Sequence, residues 1–136
     1  MASLPVVSVT VHFDPNATPK ISTVHDDPIP EGSSLIRWTL VTASGPAAQF
    51  RPPADGNGVI LPSQGLLGIG TTTPGDTTWE IEVENENHTG VNQSAEYVIW
   101  AGVAPDFQHR DPSLVVVPDP TGPLGSRGGT EAGFQA

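Results

Sequence analysis

Four glutamates, Glu80, Glu82, Glu84 and Glu86, alternate with Trp79, Ile81, Val83 and Asn85 in the stretch W-E-I-E-V-E-N-E-N. Carboxylates at that density could hold a cation or a basic partner. On a β-strand, however, period-2 alternation turns Trp79, Ile81 and Val83 to the core and every glutamate to the other face, about 7 Å apart. Two like charges at that distance repel by about 0.6 kcal/mol in water, and salt weakens this further. The ladder therefore needs no ligand and reads as the solvated face of a strand near a sheet edge, where charge also discourages edge-to-edge aggregation. Arg37, Lys20 and Arg51 are among the few cations available to offset it.

The remaining chemistry-bearing residues do not assemble a familiar site. No G-x-S-x-G elbow presents a serine nucleophile. His12, His25, His88 and His109 lie at no metal-ligand spacing. G-L-L-G-I-G at 65 to 70 lacks the lysine and following helix of a phosphate-binding loop and reads as a bulged strand. The D-G-N-G of Asp55 to Gly58 and the pair Asp26–Asp27 offer oxygens that calcium accepts, but turn chemistry accounts for the same residues. Three sequons, beginning at Asn16, Asn87 and Asn92, are short enough to recur by chance. With no cysteine, disulfides and Cys-ligated metals are excluded. No catalytic residue, cofactor or metal is expected, and the protein reads as a non-enzyme.

The elements that would position these residues are strands. Fifteen prolines and fifteen glycines punctuate short Val/Ile/Thr/Trp-rich runs, and 136 residues hold one domain. Alternation marks runs at 5–13, 19–25, 34–42, 46–51, 58–69, 77–85, 94–103 and 113–117, separated by turns such as D-P-N, A-D-G-N-G and T-P-G-D. This predicts an all-β, immunoglobulin-like antiparallel β-sandwich of seven to eight strands with Greek-key connections over residues 1–117, with a small barrel as the alternative. Residues 118–136 form a Gly/Pro-rich C-terminal tail.

I-R-W-T-L at 36 to 40, F-R-P-P-A-D-G-N-G-V-I at 50 to 60, W-E-I-E-V-E-N-E-N, Y-V-I-W at 97 to 100 and D-P-S-L-V-V at 111 to 116 occur in that order. The series resembles small uncharacterised bacterial proteins of immunoglobulin-like or fibronectin type III-like sandwich form, which end in a D-P-x-hydrophobic strand. The resemblance covers residues 35–117 and implies the architecture alone.

Fifteen acidic and five basic side chains give a net charge of −10, which argues against nucleic acid and anionic membrane surfaces as partners. The N-terminal residues alternate like a strand and lack a secretory signal's pattern, so the expectation is a cytoplasmic protein or one built into a particle or surface layer. In S-A-E-Y-V-I-W-A-G-V apolar groups face outward in either register. If the strands holding Trp38, Trp100 and Val115 are neighbours, Leu35, Val41, Val98 and Trp100 form one apolar patch. Its cover is the tail, through Leu124 and Phe134, or the 60s loop, or else another subunit or a partner. The expected function is a structural or protein-interaction module in a homo-oligomer or larger assembly, such as a capsid decoration or surface layer. The alternative is a carbohydrate-binding module in which an exposed aromatic stacks on sugar beside Asp55 and Asn57.

Overall fold

Alternating burial builds the strands. In β1 (Val6–Phe13) Val7, Val9, Val11 and Phe13 are buried; in β3 (Ser33–Thr42) Ser34, Ile36, Trp38 and Leu40 are; in β7 (Thr78–Asn85) Trp79, Ile81, Val83 and Asn85 are. The glutamates of β7 accordingly lie on the opposite face. The computed structural model describes residues 4–25, 27–62 and 64–119. Within them the protein is all-β, its one helical element being a 3-10 turn at Pro53–Asp55.

One sheet has the order β2-β1-β3-β7-β6, with β2 at Ile21–His25 and β6 at Leu66–Thr73. β1 and β3 pair in parallel, against the expectation of a wholly antiparallel fold. The connectivity explains this. β1 turns back into the antiparallel β2, and the chain then crosses to the far side of β1, so that β3 enters in the direction of β1.

The second layer is organised by a long hairpin. β8 (Gln93–Glu96) and β9 (Val98–Val103) form one arm, and β10 (Asp106–Arg110) and β11 (Ser113–Val116) the other. The register from Asp106↔Val103 to Val116↔Gln93 never shifts, and Tyr97 N–H donates to the Pro112 carbonyl at 2.9 Å across the break between the segments. β4 (Gln49–Phe50) and β5 (Val59–Ile60) pair along the other side of β9. The described residues thus hold eleven strand segments rather than seven or eight runs. The run at 58–69 divides where Pro62 withholds an N–H and Gly65 takes a φ of +85°.

Two aromatic contacts join the layers. Trp38 and Trp79 are cross-strand partners on β3 and β7. Trp38 meets Tyr97 at 5.6 Å between ring centroids and Trp79 meets Phe50 at 5.9 Å, one pair tilted and the other edge-on, as ring quadrupoles prefer. Around them Val9, Ile36, Val83, Ile99, Ala101 and Leu114 complete one core. Among the described residues the Trp38 and Trp79 N–H groups and the Tyr97 hydroxyl find no hydrogen bond of good geometry, so packing area carries these residues.

Burial pushes the Tyr97 phenol up to about 12 from its ordinary 10.0, against smaller lowering influences of the nearby Trp38 indole and Thr23. The folded state therefore keeps its proton where the unfolded chain releases it. Stability is whole below pH 10 and falls by about 2–3 kcal/mol between pH 10 and 12. Because the chain has one tyrosine, tyrosinate absorbance reads this group alone. The expected result is ionisation near pH 12 in the folded protein, and a flatter pH–stability curve for Tyr97→Phe in urea titrations.

Candidate functional site

The acidic ladder lies one strand in from the edge, since β6 flanks β7. Arg37 Nε donates to Glu80 Oε2 from the neighbouring strand; Glu82 stands beside Leu35, and Glu84 between Ser33 and Leu67. Of the three cations considered, Arg37 meets the ladder, while Arg51 is on the second layer. Glu86 lies past the end of β7, 3.8 Å from His88 Nε2, in a notch of 500 Å³ that Leu67 and Gln93 also line. The glutamates do not converge. Among the described residues no group of three or more His, Asp or Glu is placed to hold a metal ion.

The patch expected from Leu35, Val41, Val98 and Trp100 is divided between the layers. β3 belongs to the β2-β1-β3-β7-β6 sheet, where Leu35 pairs beside Val6 and Val41 beside His12. Val98 and Trp100 are on the outer face of β9, in the other layer. The Trp38 and Trp100 strands are not neighbours, because β3 pairs with β1 and β7 whereas β9 pairs with β10, β4 and β5. Leu124 and Phe134 lie outside the described residues, as does Asp26.

Val98 and Trp100 do point outward, and protein groups gather on them. Arg51 continues the β4 register, donating its backbone N–H to the Trp100 carbonyl at 2.9 Å, and its guanidinium carbon sits 4.1 Å from the Trp100 ring centroid. From the strand on the other side, His109 pairs with Trp100 and brings its ring to 4.6 Å at an interplanar angle of 30°. A cation and an imidazole thus reach the indole from its two flanking strands, the cation's contact being worth about 0.5–1 kcal/mol when exposed. Next to this stack is a pocket of 340 Å³ lined by Arg51, Asp55, Trp100, Pro105 and Phe107.

Arg51 also fixes the loop opposite. Its Nε donates to the Asn57 carbonyl at 2.9 Å and its Nη2 to the Gly56 carbonyl at 3.1 Å. Asn57 has a φ of +78° and Gly56 of +119°, so the D-G-N-G residues supply the left-handed turn that points both carbonyls at the guanidinium. Both carbonyl oxygens are thereby turned toward a positive side chain. A larger groove of 610 Å³, at the end of the layers, is walled by Pro5, Val6, Pro28, Pro30 and Val117, with Asp27 and Glu31 at its rim. Among the described residues that line it, none is nucleophilic or basic.

The inward side of the glutamate stretch continues past Val83 into a buried polar clamp. Asn85 Nδ2 donates to the Pro30 and Val117 carbonyls, both at 2.9 Å, and Asn87 Nδ2 to Val91 at 2.8 Å and Val116 at 2.7 Å. Asp119 closes it, accepting from Gly32 N–H at 2.9 Å while its own N–H donates to the Asn87 carbonyl at 2.8 Å. The alternation of W-E-I-E-V-E-N-E-N carried the signal, since Asn85 and Asn87 fall on the face of Trp79. Being buried and committed, Asn87 is not a glycosylation acceptor in the folded chain.

Asn87→Ala leaves the Val91 and Val116 carbonyls without this donor, and the expected loss is about 2–3 kcal/mol in urea denaturation. Asn87→Asp costs more, because a carboxylate would face two carbonyl oxygens. No known family model matches the chain and no curated protein matches it, so the geometry alone bears on function.

Proposed function

We propose that the protein is a non-enzymatic interaction module on an immunoglobulin-like β-sandwich, and that it associates with further copies of itself through the β6 edge. The strand order supports the architecture. β3-β7-β6 facing β4/β5, β8/β9 and β10/β11 corresponds to strands B-E-D against C-F-G, with the β1–β2 hairpin in place of a single first strand.

The observation that carries the functional reading is β6 itself. Its eight residues, L-L-G-I-G-T-T-T, include no charge and no proline, and among the described residues its outer side is unpaired. Leu67 is 51 % exposed and Ile69 44 %. Natural edges of this kind are usually guarded by charge, so an unguarded one is suited to joining a second chain. The register shift between Gly68 and Thr72 shortens the flat run and leaves Leu67 and Ile69 as the apolar contact. A two-fold pairing of β6 strands would be self-complementary. It would keep the two β7 ladders three strand spacings apart, about 14 Å, which exceeds the Debye length of about 8 Å at physiological salt.

Sedimentation velocity over a wide concentration range tests this. The expected outcome is concentration-dependent dimerisation that strengthens with salt, as the charge of −10 is screened, and that Leu67→Lys with Ile69→Lys abolishes. A chain that stays monomeric throughout, or a double variant that associates like the parent, sinks the reading. A truncation separating the tail from the edge should follow Asp119 rather than Val117, because Asp119 belongs to the clamp.

A further inference from the structure

We infer that the pocket beside Trp100 binds an uncharged pyranose, the terminal ring of a saccharide. This is independent of the β6 edge, which lies on the other layer. Three features of the pocket carry the inference.

The first is a guanidinium held in place before any ligand arrives. Two of its five N–H groups are committed to the Gly56 and Asn57 carbonyls, and its carbon lies over the Trp100 ring. The remaining N–H groups are donors whose position is already settled, so little side-chain entropy is lost when they are used.

The second is an acceptor with no partner among the described residues. Asp55, in the 3-10 turn, lines the same pocket, yet among those residues its carboxylate makes neither an ion pair with Arg51 nor a side-chain hydrogen bond. A donor and an acceptor that line one pocket without neutralising each other match a ligand offering both functions on one small frame. Vicinal hydroxyls do this: one accepts from Arg51 while its neighbour donates to Asp55. A free anion would meet Asp55 and the protein's net charge of −10, and a free cation would meet Arg51.

The third is the apolar wall. Phe107 is half-buried and, with Pro105, stands across the pocket from the loop. The hairpin reaches this position because residue 102, opposite Phe107, is glycine; a Cβ there would come within 2.7 Å of the Asp106 carbonyl oxygen. Arg51 and His109 already stack on Trp100, so the aromatic platform left for the C–H face of a sugar is Phe107, and Trp100 acts by orienting Arg51. At 340 Å³ the pocket is at the small end of ligand sites, which run from about 300 to 1,000 Å³. One ring with a protruding linkage suits it.

The test is a titration of the ¹⁵N-labelled full chain with the methyl pyranosides of glucose, galactose, mannose and N-acetylglucosamine, with methyl glucuronide and methylammonium as charged controls. The expected result is saturable shifts of the Arg51 Nε–H and Trp100 indole N–H signals with at least one neutral glycoside, at a Kd on the order of 1 mM. Asp55→Asn and Phe107→Ala should each weaken that binding about tenfold, the loss of one hydrogen bond or one stacking face. Asp55 is exposed and has no side-chain partner among the described residues, so Asp55→Asn should keep the parent's stability and remains informative if Phe107→Ala perturbs the hairpin. The inference is overturned if no neutral glycoside gives a saturable shift, if a charged control binds more tightly, or if Asp55→Asn binds the neutral sugar like the parent.

Discussion

The structure depends on one cross-strand pair. Trp38 and Trp79 face each other on β3 and β7 and reach the second layer through Tyr97 and Phe50. With no cysteine and no metal cluster among the described residues, adhesion between the layers rests on this packing. Aromatic side chains bury about 150–250 Å² each, and truncating one to alanine typically costs about 3–5 kcal/mol, a large share of a small domain's stability. Because the two indoles are neighbours in register, a slip of β7 by one residue would bring Glu80 inward and Trp79 outward. The glutamates thus help specify the register that seats the tryptophans.

Much of the fold was legible where one face is buried and the other wet. β1, β3 and β7 lie where alternation placed them, because V-V-S-V-T-V-H-F, L-I-R-W-T-L and W-E-I-E-V-E each carry a clean period of two. β10 was not legible. D-F-Q-H-R has polar residues on both faces, which an outer strand tolerates, so it offers no contrast to read. Nor could alternation say which strands are neighbours. It assigns faces, whereas adjacency follows from how connections cross, and the crossing after β2 makes β1 and β3 parallel and keeps β3 away from β9. That is why Leu35 and Val41 part from Val98 and Trp100.

The pocket was legible in pieces. Asp55 in its turn and Trp100 facing outward each stood out in the sequence, but their meeting depends on the β4–β9 and β9–β10 registers, which bring Arg51 and His109 to the two sides of Trp100. Phe107 belongs to the strand that alternation could not find. The asparagine clamp was closer to hand, since a core face that changes from Val83 to Asn85 and Asn87 must satisfy buried amides with backbone carbonyls, and here those carbonyls belong to the segments it fastens.

Arg51 ties the D-G-N-G loop to the indole of Trp100. The loop receives a positive charge from a side chain a few residues upstream, through Nε to Asn57 and Nη2 to Gly56. The same guanidinium lies 4.1 Å from the Trp100 ring centroid, so the turn and the outer face of β9 share one support and whatever displaces it disturbs both.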